Sequence, residues 1–234
     1  MIEMPMESKS KRASVSQSVA DETTDADQIL GRRERNKLEK STAIQMAARE
    51  LFGKRGFEKT TMRAIARKAG VGFGSLFFYA QDKRDLLFMV FADEMSNATL
   101  DGFKRAERFD NLLDQLVGLF GGYYRLFAKM PALSRDLLRE LSLYYSAARS
   151  YEKVQPSRER LLAEIAGLVD RAKAAGWINT EAPSHLIASL FFFTYLGAVR
   201  HWLAGNAPDA QVGEELLRDL FRLQIYGLGA RPAD

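Results

Sequence analysis

The side chains whose types and spacing suit contact with another molecule are concentrated between residues 60 and 84. Thr61 and Arg63 stand at the predicted start of one short helix, and Ser75 stands near the start of the next. A guanidinium fork donates paired hydrogen bonds to guanine O6 and N7, and a hydroxyl bonds either a base or a phosphate. We expect Arg63 to read a base; a surface charge on a solvated face is the alternative.

Two glycines and a phenylalanine occupy the start of the second short helix. Gly72 and Gly74 let the backbone approach a ligand closely, although each lowers helix propensity by about 1 kcal/mol relative to alanine. Phe73 forms no hydrogen bond to a base, but its ring can pack on a thymine methyl group. Burial of Phe73 in the core is the alternative.

Positive charge is concentrated in the same part of the chain. Residues 32–84 contain 14 basic and five acidic side chains, a net charge of +9, whereas the whole chain carries +4 and residues 1–31 carry −3. A basic block of this size is typical of a phosphate-binding module. For the composition alone, a solvated helix surface is an equally good interpretation.

Motifs for other chemistry are missing or incomplete in the sequence. The chain has no cysteine, and its two histidines, His185 and His201, are 16 residues apart, which does not suit a metal site. The glycines from Gly70 to Gly74 resemble part of a dinucleotide fingerprint, but that motif follows a strand and this segment follows a predicted helix. Nucleophile-elbow, zinc-protease and phosphate-loop motifs do not occur. We therefore expect no enzyme, no metal and no cofactor.

Short helices must position the candidate residues. An apolar stripe from Ile44 to Phe52 recurs at the spacing of an amphipathic helix that begins after Arg32. Thr60 or Thr61 caps the next helix, because a threonine hydroxyl accepts a hydrogen bond from a free amide at a helix start.

A tight turn separates this capped helix from the following one. Gly70 ends the first helix with the positive φ that a reversal needs, and Val71 is an apolar plug in the turn. Gly72 then starts a helix over residues 73–79. Two short helices joined by a glycine-containing turn predict a helix-turn-helix, whose second helix enters the major groove of DNA.

The rest of the chain has helical periodicity without the alternation of strands. Asp110 is the predicted cap of one helix, and Pro156 suits the first turn of another. We expect an all-α protein with an N-terminal three-helix helix-turn-helix domain and a C-terminal helical domain for ligand binding and dimerisation. The helices predicted beyond Asp82 cover residues 83–107, 110–129, 132–149, 156–175, 182–204 and 209–228.

Residues 1–31 are rich in Ser, Thr, Ala, Asp and Glu and predict a disordered tail, because they bury too little apolar surface to offset ordering entropy. The segment does not resemble a signal peptide. The longest uncharged apolar run, residues 186–199, has roughly 14 residues, fewer than the ~20 that a membrane span needs. We expect a cytoplasmic protein without membrane contact. Its predicted parts are the tail (residues 1–31), the helix-turn-helix domain (residues 32–82) and the helical effector-binding and dimerisation domain (residues 83–230).

The run from Ala47 to Leu87, AARELFGKRGFEKTTMRAIARKAGVGFGSLFFYAQDKRDLL, resembles the DNA-binding domain of the TetR (tetracycline-repressor) family. The matching features are Leu-Phe-x-x-x-Gly-Phe, the double threonine, Ile-Ala before Ala-Gly-Val, and Lys-x-x-Leu-Leu. The motif similarity covers 41 of the 234 residues, and the remaining helices match in number and length. The resemblance implies DNA contacts at Thr61, Arg63, Gly72, Phe73, Gly74, Ser75, Phe77, Tyr79 and Lys83.

The sequence departs from the family pattern at three places. Phe77 and Phe78 replace tyrosines that are common there, which removes phenolic hydrogen bonds to phosphate. Phe73 stands where a polar residue is frequent. Ala80 replaces a packing phenylalanine, and we expect Phe78 to fill that space instead. The family also suggests that basic residues between Arg32 and Lys37 follow the phosphates or enter a minor groove; a solvated first turn is the alternative.

The resemblance further implies a homodimer that binds a double-stranded DNA operator and a small-molecule effector. Dimerisation is expected through helices 182–204 and 209–228, whose apolar residues exceed what one small core requires, although many of them must be core. Few charges line the aromatic-rich helices, which favours an apolar or aromatic effector over an anionic one; aromatic core packing is the alternative. The candidate pocket residues are Phe120, Tyr123, Tyr124, Phe127, Tyr144, Phe192, Tyr195 and Trp202.

A repressor released from DNA by its effector is the function that these observations favour. The helix that begins near Lys83 is the expected lever, because it joins both domains without an evident linker. One alternative keeps DNA binding but makes the protein an activator or a nucleoid protein. Another is a helical ligand carrier or interaction protein with a vestigial DNA-binding module.

Overall fold

The computed structural model describes residues 11–143, 151–205 and 208–227, and every regular element among them is a helix. The all-α fold class is therefore confirmed. The helices are α1 (Lys11–Arg55), α2 (Met62–Lys68), α3 (Phe73–Leu76), α4 (Lys83–Ala106), α5 (Leu112–Lys129), α6 (Pro131–Leu143), α7 (Tyr151–Ala174), α8 (Ser184–Leu203) and α9 (Ala210–Tyr226).

The first helix is longer than the sequence pattern predicts. It begins at Lys11, so most of the segment expected to be a disordered tail is helical, and only residues 1–10 of that segment lie outside the described residues. Residues 11–30 contain no glycine or proline, which lets the ladder of backbone hydrogen bonds continue without a break. All side chains from residue 31 to residue 40 are exposed, and burial begins around Ile44.

The apolar stripe of α1 forms the core of the first three helices. Ile44 and Phe52 are buried at its two ends, and the stripe packs in one core with Ile65 of α2 and Leu76 of α3. The short helices α2 and α3 therefore gain their stability from the shared apolar core, since isolated helices of their length are unstable in water.

Polar contacts join α1 to the amino-terminal half of α4. The Gln45 side chain donates to the Met89 carbonyl at 2.8 Å. Arg49 donates to the Val90 carbonyl at 2.6 Å and pairs with the Glu94 carboxylate at 2.7 Å. Because α4 continues from this contact into the remaining helices, it connects the first three helices directly to the rest of the molecule.

The remaining helices pack around α5. The α5 helix lies against α4 and α9, and α7 lies against α8. The cap of α5 is Asn111 rather than the predicted Asp110, because the Asn111 side chain accepts from the Asp114 amide at 2.9 Å. The α7 helix begins at Tyr151, before the predicted start at Pro156.

The α8 helix is the one helix of the described residues that is long and apolar enough to cross a membrane. Of the apolar stretch of that helix, 44% is buried inside the protein, and the helix packs against α7 and α9. A core helix of a water-soluble bundle has the same properties, so its composition does not indicate a membrane span.

Candidate nucleic-acid interface and buried aromatic cluster

The two adjacent threonines before α2 have different roles. Thr61 is the cap, because its hydroxyl accepts from the Ala64 amide at 3.2 Å. Thr60 is buried, and its hydroxyl donates to the Gly56 carbonyl at 2.8 Å and lies 3.2 Å from the Leu51 carbonyl. Thr60 thus ties the end of α1 to the start of α2, whereas Thr61 remains exposed at the surface.

The turn between α2 and α3 has the predicted form. Gly70 has a φ of +68°, the left-handed conformation that favours glycine. The Val71 amide donates to the Ala66 carbonyl at 3.0 Å, and its half-buried side chain packs against the core. The turn therefore fixes the direction in which α3 leaves α2.

The α3 helix is shorter than predicted. It ends at Leu76, and residues 77–79 form a turn in which the Phe78 amide donates to the Ser75 carbonyl at 3.2 Å. Leu76 is its buried anchor. The residues at the amino-terminal end of α3 that were expected to face DNA, Gly72, Phe73, Gly74 and Ser75, are all exposed.

Three exposed side chains form a cluster on this surface, which we call the aromatic ridge: Arg63, Phe73 and Phe77. The Arg63 guanidinium carbon lies 5.0 Å from the centre of the Phe73 ring. The Phe77 ring meets the Phe73 ring edge-on, with 5.2 Å between their centres. Phe73 is 39% exposed and Phe77 is 45% exposed. The alternative of a core position for Phe73 is therefore excluded.

The expectation that Phe78 fills the space left by Ala80 is wrong. Phe78 is 84% exposed, whereas Ala80 is buried. The Ala80 amide donates to the Leu76 carbonyl at 3.1 Å, so the backbone of this turn brings Ala80 itself to the inward position. Tyr79 is half-buried and packs against the core, which leaves it less accessible than Phe77.

Lys83 lies at the first position of α4 and reaches back to the turn that follows α1. Its ammonium group donates to the Glu58 carbonyl at 3.1 Å and lies 4.5 Å from the centre of the Phe57 ring. Asp82 caps α4 by accepting from the Arg84 and Asp85 amides at 2.8 and 3.0 Å. Although partial burial opposes ionisation of Asp82, the Asp85 amide and the Arg84 guanidinium hold its pKa below the ordinary value.

An exposed carboxylate joins the basic ends of α1 and α2. Glu50 pairs with Lys68 at 2.8 Å and with Lys54 at 2.9 Å. Hydrogen bonds from Lys68 and then Lys54 lower the pKa of Glu50 to about 2. Part of the positive charge of this surface is therefore neutralised within the protein.

The aromatic residues predicted to line an effector pocket meet in the interior between α5, α8 and α9. The Phe120 and Tyr195 rings stack with 4.3 Å between their centres, and Trp202 meets Tyr124 at 4.9 Å. Tyr144 lies outside the described residues. The seven described members of the predicted set are all buried: Phe120, Tyr123, Tyr124, Phe127, Phe192, Tyr195 and Trp202.

Two of these tyrosines differ in how their hydroxyl groups are satisfied. The Tyr123 hydroxyl lies 2.5 Å from the Thr99 hydroxyl, and burial raises its pKa to about 12. The buried Tyr124 hydroxyl has no hydrogen-bond partner among the described residues. Burial, together with the nearby Glu214 carboxylate, raises the pKa of Tyr124 as well. Both phenols are therefore neutral hydrogen-bonding groups inside an apolar cluster.

Sequence periodicity identified the members of this cluster but not all of its neighbours. Phe221 of α9 also packs on Phe120, with 5.8 Å between ring centres, and Phe191 lies 5.1 Å from Phe221. Glu214 of α9 forms an ion pair with Arg125 of α5 beside the cluster. Because α8 and α9 lie far along the chain from α5, no local signal in the sequence indicated that these three residues lie at the cluster.

Comparison with known proteins agrees with this architecture. Residues 44–90 match the model of the bacterial regulatory proteins of the tetR family. The HTH-type transcriptional repressor BepR of Brucella suis is 23% identical over 169 residues, which are 70% of this chain and 80% of BepR. The HTH-type transcriptional repressor KstR of Mycolicibacterium smegmatis is 27% identical over 199 residues, which are 83% of this chain and 90% of KstR.

A solved structure extends the likeness to the carboxyl-terminal helices. Thermus thermophilus FadR, a TetR-family transcriptional repressor in complex with lauroyl-CoA, superposes with a TM-score of 0.64 at 22% identity, over 82% of this chain and 97% of FadR. The matched segment at residues 44–90 contains α2, α3 and the helix-turn-helix surface described above. Residues 44–90 therefore match the DNA-binding domain of TetR-family regulators, and the whole chain is similar to TetR-family transcriptional repressors.

Proposed function

We propose that the chain is a homodimeric repressor that is released from its DNA operator by a small apolar or aromatic effector. The free surface of the helix-turn-helix is the observation that carries this proposal. Arg63, Phe73 and Ser75 are exposed there, within a segment whose net charge is +9. BepR and KstR are both named as repressors, which supports the same sign of regulation here.

The DNA contacts that we propose fall into two classes. We expect Arg63, Phe73 and Ser75 to reach base edges, and their exposure on the helix-turn-helix supports this expectation. Gly72 and Gly74 allow close approach of the backbone, and the remaining contacts, from Thr61, Phe77, Tyr79 and Lys83, are to phosphates and sugars. Tyr79 and Lys83 already pack or bond within the protein, so we expect their contribution to be smaller.

The effector site that we propose is the buried aromatic cluster. Few charges lie within it, and the Tyr123 and Tyr124 phenols are neutral at physiological pH, which favours an uncharged ring or an acyl chain. The Thermus relative binds lauroyl-CoA, whose acyl chain is a ligand portion of this kind. Because the rings are in mutual contact, the effector must separate them, and that separation can alter the packing of α5 and α8.

A dimer is supported by the outward faces of α8 and α9. Large apolar side chains are exposed on both helices, while Val199 and Phe221 of the same helices are buried. The residues predicted at a dimer interface are thus divided between core and surface. The exposed apolar side chains are Leu186, Leu190, Phe193, Val212, Leu223 and Tyr226.

Release requires that the effector bind one arrangement of the dimer's two helix-turn-helix domains better than the other. Moving a population from 1:99 to 99:1 takes about 5.5 kcal/mol of differential binding free energy. We propose that α4 transmits the movement from the effector site to the helix-turn-helix, because Gln45 and Arg49 attach α1 to it. A second link is Arg139 of α6, which pairs with Glu58 at 2.9 Å.

The DNA-binding assignment is tested by fluorescence anisotropy on an operator selected from random duplex DNA. Arg63→Ala should weaken binding to that operator by about 1–3 kcal/mol while leaving binding to unrelated DNA nearly unchanged. Lys83→Ala should weaken binding to every sequence to a similar extent. Unchanged affinity in both variants would contradict the proposed contacts.

The effector assignment is tested by thermal unfolding in the presence of candidate ligands. Compounds with a long acyl chain or an uncharged aromatic ring should raise Tm in a concentration-dependent manner, because a ligand that binds only the folded state stabilises it. Phe120→Ala should abolish the shift, whereas Leu100→Ala, an exposed position on α4, should retain it. A response to polar, highly charged ligands alone would contradict an apolar site.

A ligand carrier without sequence-selective DNA binding is the second candidate. It predicts that random-sequence selection yields no enriched motif even at low salt, whereas effector binding persists. We place the repressor in the cytoplasm, where its DNA is found, and propose no catalytic role for it.

A further inference from the structure

The aromatic ridge combines a cation and an apolar surface in one exposed unit. The Arg63 guanidinium lies 5.0 Å from the Phe73 ring centre, and the Phe77 edge supports the same ring at 5.2 Å. Among the described residues, no carboxylate forms an ion pair with Arg63. A guanidinium held against an aromatic face keeps its in-plane N–H groups free to donate elsewhere.

Phe73 and Phe77 expose apolar surface in the part of the chain that carries a net charge of +9. The positive charge favours a polyanion as the ligand of this surface. An apolar protein partner would not need the charge. The edges of bases in the major groove present mostly polar atoms. The 5-methyl group of thymine is the apolar group among them, since cytosine lacks that methyl group and the purines present N7 with O6 or N6.

We propose that Arg63 and Phe73 read one dinucleotide together, with Phe77 supporting the Phe73 ring: a thymine, through its 5-methyl group, and a neighbouring guanine, through O6 and N7. The Phe73 ring packs on the methyl group while Arg63 donates to the guanine. We place the two bases next to each other, because the 5.0 Å between the guanidinium carbon and the ring centre is shorter than two base steps of about 3.4 Å each. This inference rests on the proposed DNA contacts and adds to them the base step that is read.

The same chemistry extends to methylated DNA. A 5-methylcytosine presents its methyl group at the same place in the major groove as thymine does. A cytosine next to the guanine should therefore be bound more tightly when it is methylated, because the Phe73 ring then gains an apolar contact. The ridge would make this regulator responsive to cytosine methylation within its operator.

The test uses the full-length protein and an operator obtained by selection from random duplex DNA. Replacing the thymine of the predicted step by deoxyuridine removes only the methyl group, and should weaken wild-type binding about fourfold, the effect of one buried methyl-sized group. The same replacement at a thymine outside the ridge contact should have no effect. In a second duplex, methylating a cytosine placed at that position should strengthen binding by a similar factor.

Variants of Phe73 distinguish this apolar contact from a general effect on DNA shape. Phe73→Ser should bind thymine and deoxyuridine duplexes equally and should also discriminate less against replacement of the guanine, since Arg63 loses its support. Phe73→Leu keeps an apolar side chain and should retain part of the methyl sensitivity. Arg63→Lys should lose the preference for guanine while it keeps the sensitivity to the methyl group.

The outcomes separate this inference from the proposed function. Selection of a motif whose binding is equally insensitive to the methyl group in wild type and in Phe73→Ser would overturn the inference and leave DNA binding intact. Equal methyl sensitivity in both proteins would overturn it too, because the methyl group would then act without Phe73. Failure to select any motif would overturn the proposed function, and this inference with it.

Discussion

At the scale of single residues, the threonine pair before α2 separates two uses of the same side chain. The Thr60 hydroxyl is buried and bonded to backbone carbonyls of the end of α1, whereas the Thr61 hydroxyl is exposed and bonded to the Ala64 amide. A cap of this kind satisfies one of the free amides in the first turn of a helix. Thr61 can therefore stabilise the helix and also lie at the proposed DNA-binding surface.

Replacement of Thr61 by alanine should lower the free energy of unfolding by about 1 kcal/mol, because the Ala64 amide loses its partner. Urea denaturation followed by circular dichroism measures this change. Thr42→Ala, an exposed threonine within α1, should change the free energy of unfolding by less than about 0.5 kcal/mol. Equal effects of the two substitutions would mean that the Thr61 cap does not contribute to stability.

The surface around α3 is unusually apolar, because three phenylalanines are exposed there. Phe73 and Phe77 support one another and Arg63, while Phe78 is exposed beside them without a ring contact among the described residues. Apolar side chains exposed together indicate an interaction surface more often than a folding requirement. This is the local reason for assigning the reading of DNA to this surface.

At the scale of elements, α4 and α5 approach closely because each helix has a glycine where the two are in contact. A Cβ atom on Gly102 of α4 would lie 2.3 Å from the Leu119 carbonyl oxygen of α5. A Cβ atom on Gly122 of α5 would lie 3.1 Å from the Ala98 carbonyl oxygen of α4. The approach of the two helices therefore depends on the absence of side chains at these positions.

Replacement of Gly102 by alanine should destabilise the fold by about 1–3 kcal/mol, because the contact is with backbone that cannot move away alone. The matched control is Gly53→Ala in α1, where no atom lies within 4 Å of the added Cβ. That control should be neutral or more stable by up to about 1 kcal/mol. Thermal and urea unfolding compare the two variants, and equal stability would mean that α4 and α5 can separate without cost.

The α6 helix links elements that are distant in sequence. Its Arg135 side chain donates to the Leu203 carbonyl at the end of α8 at 2.7 Å, and its Arg139 pairs with Glu58 at 2.9 Å. The first contact lies beside Trp202 of the aromatic cluster, and the second lies on the turn between α1 and α2. This helix therefore offers a route from the proposed effector site to the DNA-binding helices in addition to α4.

At the scale of the whole molecule, the proposed dimer accounts for the apolar residues that one chain leaves exposed on α8 and α9. A single helix-turn-helix contacts a short DNA segment, and a two-fold dimer reads two half-sites on the same face of the duplex. The spacing of the half-sites is then set by the packing of α8 and α9 against their copies. The effector can alter that spacing without any contact to DNA.

Replacement of Phe193 by aspartate should convert the proposed dimer to a monomer, because Phe193 is 57% exposed on α8 and a buried charge at an interface is costly. Sedimentation velocity measures the change, and affinity for the full operator should fall strongly. Leu100→Asp replaces an exposed apolar residue of α4 and should leave the assembly unchanged. A monomeric wild type, or an unaffected Phe193 variant, would contradict this interface.

The amino-acid sequence alone determined the elements that depend on neighbours along the chain. The apolar stripe from Ile44 to Phe52, the positive φ of Gly70 and the helix-turn-helix between them follow from side-chain period, capping and backbone sterics, which act within a few residues. Boundaries were less predictable where two neighbours compete for one role, as Asp110 and Asn111 do for the cap of α5.

Tertiary structure decided what depends on contacts between distant residues. Sequence period alone did not indicate that Arg63 would lie over the Phe73 ring, that Phe78 would be exposed while Ala80 is buried, or that Phe221 would join the aromatic cluster. The first and third of these arrangements are set by how helices pack, which depends on the complementary shapes of the packed surfaces, and the second follows from the turn that ends α3. The sequence therefore determined which part of the chain we propose as the DNA-binding surface, and the packing of α2 on α3 decided which side chains that surface presents.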